Sequence, residues 1–147
     1  MKKNGFTLIE IIIVLFLITL ILGLSSVFFA GAFLPAAKME AAGREIAGQI
    51  RQARSLAKLN SVRTLFTIDL DGRTYGIEGQ EPKPFPAGTA VRIIDPSSKE
   101  ISEGKYSLVF SPTGGMSGGT IILSAKKKSL RIELDPITGA AVIKEKK

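Results

Sequence analysis

FTLIEIIIVLFLITLILGLSSVFFAGAFL, residues Phe6 to Leu34, decides the fold, because these 29 residues carry a single charge, Glu10. A helix of that length reaches about 43 Å, more than the roughly 30 Å hydrocarbon core of a bilayer, so the segment is expected to span a membrane. Lys2 and Lys3 precede it. The positive-inside tendency then keeps the N-terminus in the cytoplasm and exports everything after Leu34. Ala30-Gly31-Ala32 has the small residues of a signal-peptide cleavage site. An ordinary secretory signal, however, has an apolar core of about 7 to 15 residues and no carboxylate. Glu10 is the most informative residue, since an ionised carboxylate in lipid costs several kcal/mol unless it is paired. The helix dipole gives it partial relief. No cation within the segment is in reach, so either a neighbouring molecule supplies one or Glu10 sits at the headgroup level.

The rest of the 147-residue chain is an ordinary mixture, and the positive mean hydropathy of +0.24 comes from this first stretch. The chain therefore reads as one small domain behind an apolar segment. With no Cys there is neither a disulfide framework nor a thiolate metal site. With no His the commonest general base and metal ligand is missing, which argues against an enzyme. Formal charge is +7; without residues 1–5, 18 basic against 13 acidic groups leave +5. From Ser61 onward, 13 Lys and Arg stand against 10 Asp and Glu, a mild excess.

Pro35 follows the apolar run and is expected to kink the helix or start a new one. Beyond it, Met39, Ala42, Ile46, Ile50, Ala53 and Ala57 fall on one quarter of a helix at 100° per residue, and Arg44, Arg51, Arg54 and Lys58 on another face. The first stripe is expected to pack. The second is read as solvent-exposed or filament-packed, with contact to acidic partners or nucleic acid as the functional alternative. A helix from Phe6 to Asn60 would be about 80 Å long, too long for a small domain unless part of it projects.

From Ser61 the pattern turns to β structure. Val62 to Leu70 and Arg73 to Ile77 flank Asp71-Gly72, a tight-hairpin signal. A loop rich in Pro (Pro82, Pro84, Pro86) follows, and further strands are expected at Ala90–Ile94, Tyr106–Phe110, Thr120–Ser124, Leu130–Leu134 and Ala140–Lys144. A small sheet without disulfides is expected to depend on the Met39 to Ala57 stripe for its core. Gly114 to Thr120 lacks the Lys of a phosphate loop. Asp69-Leu70-Asp71-Gly72 lacks the later ligands of a calcium loop. Both read as turns. Lys126, Lys127 and Lys128 are expected to solubilise a turn and discourage edge pairing, with phosphate contact as the alternative. No aromatic residue is interleaved with them.

Lys2-Lys3-Asn4-Gly5-Phe6-Thr7-Leu8-Ile9-Glu10 and the apolar run after it resemble the class III leader and cleavage site of type IV prepilins and pseudopilins. The resemblance implies that prepilin peptidase cuts after Gly5 and N-methylates Phe6. It also implies that Glu10 registers the subunit by neutralising the terminal ammonium of a neighbour's Phe6, the partner that desolvation requires. Ala42 to Ala57, together with Phe110-Ser111-Pro112-Thr113-Gly114 and Pro136-Ile137-Thr138-Gly139, is similar to GspH/FimT-type minor pseudopilins. That family implies a long helix, a β-rich head and a place at or near a filament tip. Val27 stands where major pilins often carry a proline, and the paired C-terminal cysteines of many major pilins are absent. DNA-uptake relatives use a basic tail after the final glycine; here Gly139-Ala140-Ala141 lacks the arginine, and Lys144, Lys146 and Lys147 replace it only in part.

The expected fold class is α+β, a long N-terminal helix with a membrane-spanning half and an amphipathic half, packed on a small antiparallel β-sheet head. The expected divisions are a leader at 1–5, a transmembrane and filament-core helix at 6–34, an amphipathic helix at 35–60 and a head at 61–147. The resemblance implies a minor pseudopilin with no enzyme activity and no cofactor, which initiates or caps a short periplasmic pseudopilus in type II secretion. The alternative is a DNA-binding minor type IV pilin for pilus assembly or DNA uptake, using Lys126, Lys127, Lys128, Lys144, Lys146 and Lys147. Implied partners are prepilin peptidase, other pseudopilins or pilins, an inner-membrane assembly platform, an assembly ATPase acting indirectly, and membrane lipid before assembly. The implied location is the inner membrane, single-pass, with the head in the periplasm or at the cell exterior and later in a filament.

Overall fold

The computed structural model describes residues 7–146, with side chains described for 7–24 and 35–144. One α-helix, α1 (Leu8–Asn60), is followed by nine strands. These are β1 (Thr64–Asp69), β2 (Thr74–Ile77), β3 (Lys83–Pro84), β4 (Ala90–Ile94), β5 (Glu100–Ile101), β6 (Lys105–Phe110), β7 (Gly119–Ala125), β8 (Lys128–Leu134) and β9 (Ala141–Lys146). The chain divides into two compact units, Met1–Leu34 and Pro35–Lys147. The helical assignment runs through Pro35, so no new helix starts there. A proline inside a helix forfeits one i→i−4 bond and crowds the carbonyl four residues earlier, a cost of about 3 kcal/mol that the helix bears here. Ser61, at φ 54°, takes the left-handed conformation that commonly ends a helix.

In the second unit the amphipathic reading of α1 is realised: Met39, Ala42, Ile46, Ile50, Ala53 and Ala57 are all buried. Small residues on this stripe let the sheets come close, and at Gly43 a Cβ would overlap the Leu130 Cδ2 methyl of β8. The strands form two antiparallel sheets, not the single sheet expected. One has the order β3-β2-β1-β6, the other β5-β4-β7-β8-β9. Phe66, Ile68, Leu108 and Phe110 from the first and Ile93, Ile121, Leu123, Leu130 and Ile132 from the second meet the helix stripe in one core. Alternate residues on these strands point inward, which is the two-residue period of a sheet with one covered face.

Two further expectations are corrected. The β1–β2 connection pairs Asp69 with Thr74, so its loop has four residues and the positive φ falls on Arg73, not Gly72. Asp69 Oδ1 accepts the Gly72 N–H at 2.7 Å and Asp71 Oδ1 accepts the Gly104 N–H at 3.0 Å. Both carboxylates therefore serve turns. The Pro-rich loop is not wholly irregular, since Lys83 and Pro84 pair along β2.

Candidate functional site

Thr7 opens α1: its carbonyl accepts the N–H groups of Glu10 at 3.1 Å and Ile11 at 3.3 Å. Thr7 is thus the N-cap and Glu10 the third helical residue, the Thr-x-x-Glu spacing of a capping box. That signal is legible in the sequence and was missed there. It places the carboxylate where the positive end of the helix dipole stabilises a negative charge.

The helix from Leu8 to Leu24 is apolar all round. Fourteen large hydrophobic side chains stand 46–79% exposed, from Leu8 at 79% to Ile18 at 46%. A helix of this kind is buried in an assembly or in lipid. Thr19 satisfies its hydroxyl internally, donating to the Phe16 carbonyl at 2.8 Å. Glu10 has no ion-pair partner among the described residues. A shallow apolar depression beside it is lined by Ile11, Val14 and Leu15. Among the described residues no helix is long and apolar enough to cross a membrane. The apolar stretch with described side chains, 8–24, covers about 26 Å of helix. Gly5 and Phe6, the expected cleavage and methylation residues, lie outside the described residues.

The expected nucleic-acid lysines do not form one free cluster. Lys126 and Lys127 make the two-residue loop between β7 and β8, with Lys126 at φ 54°. Lys128 reaches across to Glu40 on α1 at 3.1 Å. Lys144 pairs with Glu133 at 2.7 Å. Lys146 stands opposite Ser129 in the ladder, and Lys147 lies outside the described residues.

Glu40 and Glu45 tie the helix to the two sheets. Glu45 receives Lys83 and the Tyr75 hydroxyl, the latter at 3.2 Å, from the first sheet, while Glu40 receives Lys128 from the second. The Lys83 hydrogen bond holds the Glu45 carboxyl below its ordinary range, against a smaller opposing effect of burial. Burial, and next the Glu45 charge, push the Tyr75 phenol up to about 12. These contacts are structural, and they hold the two β-sheets on the part of α1 that follows Pro35.

Two comparisons bear on identity. The family model described as the prokaryotic N-terminal methylation motif matches residues 1–26. The chain is also similar to the protein described as type II secretion system protein H of Xanthomonas campestris pv. campestris. The two are 27% identical over 138 residues, which cover 94% of this chain and 81% of the relative. No solved structure matches the chain. The motif, the relative and the fold support a type IV pilin-like pseudopilin.

Proposed function

We propose that this type IV pilin-like pseudopilin is a minor, non-enzymatic structural subunit of a type II secretion system, which initiates or caps a short periplasmic pseudopilus. The observation that carries the reading is the all-round apolar helix from Leu8 to Leu24 with Glu10 as its one unpartnered charge. Burying each such side chain is worth about 1.5–3 kcal/mol, so the segment has no stable existence in water. Residues 6–34 reside in the inner membrane as a single span, with the head on the periplasmic side, until the subunit enters a bundle of like helices. There, residues 1–5 having been removed by prepilin peptidase and Phe6 methylated, Glu10 meets the terminal ammonium of a neighbouring subunit. Other pseudopilins and an inner-membrane platform protein are the partners. The DNA-binding pilin reading has less support, because Lys128 and Lys144 are engaged by Glu40 and Glu133.

The test is disulfide cross-linking in native membranes, which the absence of native cysteine makes clean. Ala41→Cys is suited to it, because Ala41 is exposed on the helix whereas its neighbour Ala42 faces the core. Links to secretion pseudopilins that vanish with Glu10→Ala are expected. Links to pilus-type pilins alone, or links indifferent to Glu10, would overturn the secretion reading. Intact mass should show Phe6 as the methylated first residue.

A further inference from the structure

On the outer face of the second sheet, Arg92 of β4 pairs with Ile122 of β7, Ile122 with Arg131 of β8, and Arg131 with Lys144 of β9. Three cations and one isoleucine therefore form a single row across four strands, about 5 Å apart. The two outer cations are already matched. Arg92 donates to Glu100 at 2.9 Å and Lys144 to Glu133 at 2.7 Å. Arg131, between them, has no ion pair or side-chain hydrogen bond among the described residues, yet it faces Lys144 directly. Like charges directly opposite on antiparallel strands repel. Beside Arg131 is a depression of about 220 Å³ lined by Arg92, Ile122, Ser129 and Arg131.

We propose that this depression is a docking site for an acidic, extended segment of a partner protein, with one carboxylate seated at Arg131. The guanidinium offers a planar pair of donors matched to a carboxylate, Ser129 a hydroxyl, and Ile122 an apolar floor. An incoming carboxylate would also relieve the Arg131–Lys144 repulsion. A protein fits this face better than a nucleic acid. Binding to a phosphate backbone draws on several unneutralised cations in a run, whereas here Glu100 and Glu133 already pair with Arg92 and Lys144 and leave Arg131 as the one unpaired cation of the row among the described residues. The row contains no aromatic residue for base stacking, and Val142, 48% exposed, adds apolar area next to it. The site is built wholly from residues of the second unit and is independent of which filament the subunit enters.

The experiment is fluorescence anisotropy with the full chain in nonionic detergent. The probes are a labelled peptide of alternating valine and glutamate, its valine–glutamine counterpart, and a short labelled DNA duplex. The glutamate peptide is expected to bind at least about fivefold more tightly than the glutamine one. Arg131→Gln should weaken it about tenfold, as befits loss of a charge-assisted bond. Arg131→Lys should weaken it less, keeping the charge while losing the fork. The comparison of peptides needs no variant and so does not depend on a substitution being tolerated. Equal binding of the two peptides, indifference to both substitutions, or tighter Arg131-dependent binding of the duplex would each overturn the proposal.

Discussion

Gly139, at the turn between β8 and β9, lies directly on the guanidinium of Arg54 from α1: a Cβ there would stand 2.6 Å from Nε and 2.7 Å from Cζ. Gly139 also has φ 63°, in the left-handed region. Asp135 locks the turn from below, its Oδ1 accepting the Ile137 N–H at 2.8 Å and its Oδ2 the Thr138 hydroxyl at 2.7 Å. Gly139→Ala should therefore destabilise the head by about 2–3 kcal/mol, of which about 1 is backbone strain and the rest overlap with Arg54. Arg54→Ala removes the overlap along with a buried Nε that has no hydrogen-bond partner among the described residues. In the Arg54→Ala background the cost of Gly139→Ala should fall to the strain alone. Chemical unfolding of the four proteins in detergent checks this, and additive costs would show that the two residues do not press on each other.

Gly43 sets the distance between helix and sheet, because any side chain there would enter the space of Leu130 and come near Leu123 Cδ1 at 3.7 Å. Helix propensity alone makes Gly43→Ala stabilising by about 1 kcal/mol. Overpacking opposes this with about 1–3 kcal/mol, and since Leu130 is only 2% exposed it has little room to move. A net loss of stability is expected, measured as a lower denaturation midpoint. A gain would mean that the second sheet shifts away from the helix freely.

Local periodicity carried most of the fold. Met39 to Ala57 announces its buried stripe because side chains three and four apart share a face, and β7 and β8 announce themselves by alternation. The separation into two sheets was not legible, because it rests on long-range pairing such as Thr67 with Ser107 between β1 and β6. Two-residue strands such as β5 carry no pattern at all. Arg54 projects beside Arg44 and Arg51 on a helical wheel, yet it is partly buried because the Gly139 turn closes over it. The fates of Lys128 and Lys144 were hidden for the same reason, since register decides that they meet Glu40 and Glu133. Glu10 was legible because a lone charge in a long apolar run stands out whatever the tertiary structure.

The two tyrosines report on the head without interference, as the chain contains no Trp. Burial raises both phenols, Tyr75 to about 12, and the Asp95 charge adds to the rise at Tyr106. A phenol whose folded pKa is raised contributes stability that is fully present below its unfolded value of about 10 and is lost as pH rises toward the folded one. Phenolate absorbance should therefore show both groups titrating above pH ~10 in the folded protein and near pH ~10 in denaturant. A tyrosine titrating normally in the folded protein would contradict its packing.

Glu45 links that alkaline behaviour to the acid limb. Its carboxyl is held low chiefly by Lys83, so its contribution is present above the ordinary carboxylate range and is lost as pH falls through the lowered folded value. Since the Lys83 and Glu45 side chains are 55% and 40% exposed, the pair is worth about 0.2–1 kcal/mol after solvent screening. Glu45→Gln should flatten acid unfolding slightly. It should also lower the Tyr75 pKa from about 12 without returning it to the ordinary value, because burial is the larger cause and the Glu45 charge the second. A Tyr75 that titrates normally in Glu45→Gln would make the carboxylate, not the core, the source of its shift. A Tyr75 left unchanged would mean that the helix and the first sheet are not joined through Glu45 in solution.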